Sequence, residues 1–368
     1  MAKSKVALIL GAGFSCEAGL PSTRNIVADF VEPPINGLNP LIEMEISRQL
    51  TKFWKYVFNW NGGPNRPSLE DHFTVLDLAA NSGRNIGPEY PPRKLRAIRR
   101  LSIHRIFQIL NAKYVDSSSI EQLLLHLRSF ALSVISTNWD IVVEKHFKKL
   151  GFDYSYGLPI EDLAGAKTAG RGIPLFALHG SANWIYCDSC RRLYVGKPQE
   201  GKAALRELIY ITRDDFYQLC PENKDVQNLL EIAPRNAKYC AHCRNRLGAR
   251  IATFSYRKEV SIPQFQTAWQ GAFSALRDSS TWLFIGYSLP EADFEFRHLL
   301  KSAEKGVSRN KRRKIRVMLK DDLDAELRFK RFFGITEQQI HQHGLSACVN
   351  HCLPSFLPSG RRKGSSSE

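Results

Sequence analysis

Residues 6–10, VALIL, form an apolar run without a polar interruption that ends at Gly11. A strand exposed on one face alternates apolar and polar residues, whereas an unbroken run suits a strand buried on both faces of a parallel sheet. Gly11 and Gly13 then open a turn, in GAGFSCEAGLP. A strand-turn-helix unit of this kind can present backbone N–H groups and a helix N-terminus to a phosphate. The dinucleotide spacing G-x-G-x-x-G is not kept, because the next glycine, Gly19, arrives three residues late. On its own the stretch is either a nucleotide site or a tight turn between strand and helix.

Four further apolar segments read as strands: ALSVIST (131–137), IPLFALHG (173–180), TWLFIGYS (281–288) and KIRVMLK (314–320). Polar or glycine residues follow each, and helical patterns follow most. The expected fold class is therefore α/β, a Rossmann-like parallel sheet built from residues 1–37, 129–184 and 250–335. Between 38 and 128 the apolar period turns helical, which predicts a helical insertion. Residues 185–249 hold five of the eight cysteines, four of them in two pairs, and few apolar runs, and read as a separate small zinc module. Residues 336–368 are left as a C-terminal extension whose last ten or so residues look disordered by composition.

The chain has 368 residues, 43% hydrophobic and 24% charged, ample for a core. No stretch approaches the roughly 20 apolar residues of a membrane span. MAKSK leads straight into the first strand, so the expectation is a cytoplasmic chain without a signal sequence. The formal charge of +16 suits nucleic acid, an acidic protein or an anionic small substrate. Basic residues gather in RKLRAIRR (93–100), RNKRRK (309–314) and the tail GRRKGSSSE. The plain alternative is a solvated helix face, a loop before a strand and a disordered end.

Ligands of an open parallel sheet sit beyond the carboxyl ends of its strands. Here those ends read Gly11-Ala12-Gly13-Phe14-Ser15, Thr137-Asn138-Trp139-Asp140, His179-Gly180-Ser181 and Gly286-Tyr287-Ser288. Singly each has an ordinary explanation, Asp140 as a helix cap and His179 as a hydrogen-bonded structural residue. Jointly, four apolar strands that all end in small or reactive residues describe a site. Cys187-x-x-Cys190 and Cys240-x-x-Cys243 have the paired spacing of a Cys₄ structural zinc site, with His242 as a bystander. The excursion at about 200–235 must then loop out between the pairs. In the tail His341, His343, Cys348, His351 and Cys352 imitate a second metal cluster without the paired geometry.

Taken in order, GAG-x-S (11–15), TN-x-D (137–140), LHGS-x-N-W (178–184), the two CxxC pairs and IGYSLP (285–290) resemble the sirtuin-like NAD-binding family over about residues 5–330. The resemblance implies NAD⁺ as ligand and substrate, and assigns roles by position. Gly11, Ala12, Gly13 and Ser15 would cradle the pyrophosphate. Thr137, Asn138 and Asp140 would hold the nicotinamide ribose and its pocket, and His179 would be the general base. Gly286 and Ser288 would meet the adenosine side. Deacylases of this family read G-I-P-D-F-R where this chain reads Gly19-Leu20-Pro21-Ser22-Thr23-Arg24, so the phenylalanine over nicotinamide is gone while Arg24 survives in the cofactor-binding set. Their V-x-F-G-E strand, which clamps acyl-lysine peptides, is replaced by IATFSYRKEV (251–260). Trp139 and the long insertion instead look like the bacterial sirtuin-like proteins of antiphage defence, NAD hydrolases that work beside a partner such as a HerA-type ATPase or an Argonaute.

The expectation is an NAD⁺ glycohydrolase whose catalytic residues are Asn138, Asp140 and His179, restrained by homo-oligomerisation or a partner. The competing readings are an NAD-dependent protein deacylase, a non-catalytic sensor of NAD or ADP-ribose, and nucleic-acid binding through the basic clusters.

Overall fold

The computed structural model describes residues 3–34, 39–167, 170–187, 189–196, 211–230, 238–245, 247–249, 263–306, 313–351 and 356. The strands are β1 (Lys5–Leu10), β2 (Ala131–Ser136), β3 (Tyr154–Ser155), β4 (Glu161–Asp162), β5 (Ile173–Ala177), β6 (Trp184–Tyr186), β7 (Leu193–Val195), β8 (Gly248–Ala249), β9 (Thr281–Ile285), β10 (Lys314–Met318) and β11 (Ile340–His341). Seven of them make a parallel sheet in the order β11-β10-β9-β1-β2-β5-β3. The four apolar segments anticipated beside β1 are β2, β5, β9 and β10, and the edges β3 and β11 are pairs of residues too short to show a period.

Alternation along β1 divides the core. Val6, Leu8 and Leu10 enter one apolar cluster while Ala7 and Ile9 enter another, so both faces of the strand are buried. Helices α10 (Pro263–Asp278), α11 (Phe294–Lys305) and α12 (Leu323–Phe333) cover the second face, where Leu276, Phe296 and Phe329 meet Trp282 and Phe284. The first face is covered by α1 (Ala12–Cys16), α2 (Thr23–Phe30), α3 (Pro40–Phe58), α4 (Leu69–Ser82), α5 (Pro92–Lys113), α6 (Ser118–Leu127) and α7 (Val142–Lys149).

The register matters most for function. Leu10 pairs with Ser136 and Ile285, Ser136 with Ala177, and Ile285 with Met318, so five strands end in one row. From β1 the chain fills one side of the sheet through β2 and β5, then returns to the other side at β9. The direction of winding therefore reverses between β1 and β9, and the crevice opens there.

The described residues from 39 to 128 form α3 to α6, each begun by a local signal. Asn39 accepts from the Leu41 N–H (2.9 Å) with Pro40 opening the helix, Ser68 from Asp71 (2.9 Å) and Ser117 from Ile120 (3.4 Å). Inside this bundle the Trp54 indole donates to His72 Nδ1 (2.9 Å), whose Nε2 meets Ser102 (2.8 Å). Burial pushes His72 down to about 3, which leaves it neutral and structural. Arg105, fully buried, joins α5 to the Glu32 carbonyl, to Ser47 (3.2 Å) and to Glu43 (3.4 Å).

A second sheet, in the order β4-β7-β6-β8, carries the first cysteine pair at the end of β6. Between the two pairs, α8 (Arg213–Leu219) and α9 (Lys224–Asn228) reach back to the insertion: Arg100 of α5 pairs with buried Asp215, and Asn223 donates to Glu45 of α3 (3.0 Å). The final described helix, α13 (Gly344–His351), sends Ser346 to Glu17 beside the first turn. Among the described residues no helix is long and apolar enough to cross a membrane.

Candidate active site

The glycines at the ends of β1 and β9 require one another. The Gly11 N–H donates to the Ile285 carbonyl (3.1 Å) and the Gly13 N–H to the Gly286 carbonyl (2.9 Å). A Cβ on Gly13 would lie 2.7 Å from the Gly286 Cα, and one on Gly286, at φ +62°, would collide with the Phe14 nitrogen. Two turns packed backbone on backbone across the switch point explain the bare sequence of residues 11–13. Glycines that serve this contact have no reason to follow dehydrogenase spacing.

Asn138 follows β2 and reaches across to the first turn. Its Nδ2 donates to the Gly11 carbonyl (2.9 Å) and to Ser15 Oγ (3.0 Å), which fixes the amide orientation and leaves Oδ1 as the atom it offers to a ligand. Ser15 in turn donates to Asp140, whose Oδ1 also accepts from the Val142 N–H (3.0 Å) at the start of α7. Burial pushes the Asp140 carboxyl up to about 6 against these two bonds. Thr137 anchors the segment by donating to the Leu10 carbonyl from both its N–H (3.0 Å) and its hydroxyl (3.1 Å).

His179 stands just beyond β5. Its Nδ1 faces the Thr137 carbonyl at 2.9 Å, and since a carbonyl only accepts, Nδ1 is the donor. Its Nε2 lies 3.4 Å from Asp293 Oδ1, and the buried Asp293 accepts from the Tyr287 hydroxyl at 2.7 Å.

Asn138, Asp140, His179, Tyr287 and Asp293 line one cavity of about 170 Å³, together with Ala12, Thr137, Gly286 and Ser288, whereas Gly11, Gly13 and Ser15 stand behind this lining. Pro21 and Ile26 also line it, as do Glu70 of α4 and Ile106 and Leu110 of α5. The insertion is thus part of the site, and Trp139 ties it down by packing edge-on to Phe73 of α4 (6.2 Å between ring centroids). The backbone of Arg24 lies in α2, whereas its side chain lies outside the described residues, as does the whole of residues 251–260.

The sequence reading missed Asp293, Glu70 and Glu144. Asp293 looks like a helix cap and Glu70 like a first-turn acid, but Glu144 had a visible signal, a second carboxylate in the first turn of the helix that follows Asp140. Glu144 is buried beneath the turn of His179, where Oε1 accepts from Tyr156 (3.0 Å) and Ser181 (3.4 Å). Asn183 completes the group, accepting from Ser181 (2.8 Å) and donating to the Tyr156 oxygen (3.0 Å). Burial pushes the Glu144 carboxyl from 4.5 up to about 8, with Asp140 adding to it.

A pH dependence follows. Below about 4.5 the group is protonated whether the chain is folded or not; from there to about 8 only the folded chain keeps the proton, so its stabilising contribution is lost as pH rises through that window. Glu144→Gln keeps the hydrogen bonds without the ionisation. Its stability relative to wild type is expected to rise by roughly 2–4 kcal/mol between pH 5 and pH 8, at about 1.4 kcal/mol per pH unit. Denaturation curves of both proteins at the two pH values check this, and parallel pH dependence would contradict it.

The Sγ atoms of Cys187, Cys190, Cys240 and Cys243 lie within 4.8 Å of one another, a set that fits a tetrahedral zinc ion. Burial opposes charge on Cys240, but hydrogen bonds from Tyr194 (3.0 Å) and from the Cys243 and His242 N–H groups outweigh it and hold this thiol down to about 6. His242 turns away to Glu161 (2.9 Å). At the other end of the chain the His341 and His343 rings pack edge-on, and among the described residues they join no metal-binding group. The His351 side chain and Cys352 lie outside the described residues.

A family model described as a SIR2-like domain matches residues 132–336, more than half of the chain. No curated protein matches it in sequence. Among solved structures it is similar to a Sir2–p53 peptide–NAD⁺ complex, with 13% identity and a TM-score of 0.43 over 95% of this chain and 91% of that one. It is also similar to Sir2Tm bound to a propionylated peptide, with 13% identity and a TM-score of 0.39 over 95% of this chain and 91% of that one.

Proposed function

Because the chain belongs to the SIR2-like domain family, we propose that its crevice binds NAD⁺ and hydrolyses the bond between nicotinamide and ribose, releasing nicotinamide and ADP-ribose. The observation that carries this reading is the meeting of Asn138, Asp140 and His179 in one small cavity lined in part by the insertion. Cleavage develops positive charge on the ribose, which suits a lining that includes Glu70, Asp140 and Asp293 and, among the described residues, neither lysine nor arginine. Asn138 Oδ1 orients the attacking water, and His179 takes a proton from it or from a ribose hydroxyl. Ile106 and Leu110 of the insertion take up part of the lining, which favours water over an extended acyl-lysine peptide as acceptor.

In this proposal Cys187, Cys190, Cys240 and Cys243 hold one zinc ion in a structural role, since four protein ligands leave no position for a reacting water. A cytoplasmic enzyme of this kind would exhaust its own cell's NAD⁺ without restraint. Self-assembly or a partner protein such as a HerA-type ATPase or an Argonaute, released during phage attack, supplies that restraint in the reading we favour.

Incubating the pure protein with NAD⁺ is expected to yield nicotinamide and ADP-ribose in equal amounts. Turnover that requires an acyl-lysine peptide would make the chain a deacylase. Binding of NAD⁺ without its loss would make it a sensor.

A further inference from the structure

We infer that Asp293 is the positioning residue through which His179 works as a base, an inference that rests on the NAD⁺ hydrolase reading above. Asp293 occupies the N-cap of α11, where an aspartate ordinarily turns its carboxylate onto the first N–H groups of the helix. Here it makes no such bond. The carboxylate is directed into the site instead: Oδ2 accepts from the Tyr287 hydroxyl at 2.7 Å and Oδ1 lies 3.4 Å from His179 Nε2, with the residue only 2% exposed.

The other ring nitrogen is already committed. Nδ1 donates to the Thr137 carbonyl (2.9 Å), so a proton arriving at His179 lands on Nε2, facing Oδ1. The separation of 3.4 Å is longer than the roughly 2.7–2.9 Å of a charge-assisted bond. Both residues line the cavity, so a water or ribose hydroxyl held there meets the pair, and proton transfer to Nε2 draws His179 and Asp293 together. Around Asp293 the facing groups are His179 from the end of β5, Tyr287 from the end of β9, and Arg297 one turn along α11, whose N–H donates to the Asp293 carbonyl (2.9 Å). The N-terminus of α11 favours negative charge at this position.

The step balances without a further reactant. Water oxygen bonds to the ribose anomeric carbon, the bond to nicotinamide breaks with its electron pair leaving on the ring nitrogen, and the water proton passes to Nε2. The resulting imidazolium is held against the Asp293 carboxylate until the proton goes to solvent.

Asp293→Asn preserves the shape and removes the charge. We expect kcat for NAD⁺ hydrolysis to fall about 10²-fold while KM stays within about threefold, the split that separates positioning of a base from binding. In Asp293→Ala, added formate is expected to restore part of the rate, and to leave the wild type unchanged; a purely structural role would not respond to a small carboxylate. A wild type that hydrolyses NAD⁺ beside an Asn variant within about threefold of its kcat overturns this inference alone. A wild type that binds NAD⁺ and leaves it intact overturns the hydrolase reading and this inference with it.

Discussion

His179→Ala and Asn138→Ala are each expected to lower NAD⁺ hydrolysis by about 10²–10⁴-fold, the range for removing a positioned base or the group that orients its partner. Neither side chain contributes to the apolar clusters, so the fold should survive. The stability effects are nonetheless distinct. His179→Ala leaves the Thr137 carbonyl without its donor, and Asn138→Ala releases both the Gly11 carbonyl and Ser15. Each loss costs about 1 kcal/mol per bond, a few degrees of melting temperature. Nicotinamide release measured beside a calorimetric melt separates the two effects. If His179→Ala kept most of the wild-type rate, the base would lie elsewhere and the sensor reading would lead. Asp140→Ala is a poorer probe, because the carboxylate also accepts from the Val142 N–H and from Ser15.

Metal removal is expected to have the largest effect on stability. Purification without chelator should give one zinc per chain, and stripping it should melt the four-stranded module before the parallel sheet. Structural zinc contributes roughly 10 kcal/mol or more of apparent binding energy to the folding of small modules. Cys240→Ser should reproduce the loss, since this thiol collects the hydrogen bonds from Tyr194, His242 and Cys243. The order of events has a structural cause: Ile185, Cys187, Tyr194, Cys240 and Leu247 form a small cluster of their own around the cysteines, while Trp184, Tyr186 and Leu193 of the same strands enter the large cluster beside the sheet, so the cysteine side of the module has the least apolar support. Metal analysis that returns no zinc would remove the assignment, and a single melting transition unaffected by chelation would remove the structural role.

Much of this molecule was legible from short stretches. An unbroken apolar run can be stable only where both faces are covered, so VALIL and TWLFI announced a parallel sheet from composition alone. The cavity-lining residues were legible because every strand of such a sheet ends on the same side, and Asn138, Asp140 and His179 follow strand ends. Paired cysteines carry their spacing within four residues.

What the tertiary structure alone decided is what depends on contacts between distant parts of the chain. The glycines at 11 and 13 read as a phosphate cradle, yet the contact that excludes a side chain there is made with Gly286 of another strand. Helices α8 and α9 read as a loop out of the zinc module but close onto the insertion through Asp215 and Asn223. Glu70 reached the cavity only because α4 folds over the switch point. Asp293 is the clearest case, since by local sequence it reads as a helix cap and yet makes no capping bond. A carboxylate at that position can turn to its own helix or away from it, and the choice was made by Tyr287 and His179, side chains brought beside it by the register of β9 and β5. Local sequence sets backbone preference within a few residues, whereas the partner of a buried polar group is set by whichever strand the sheet places next to it.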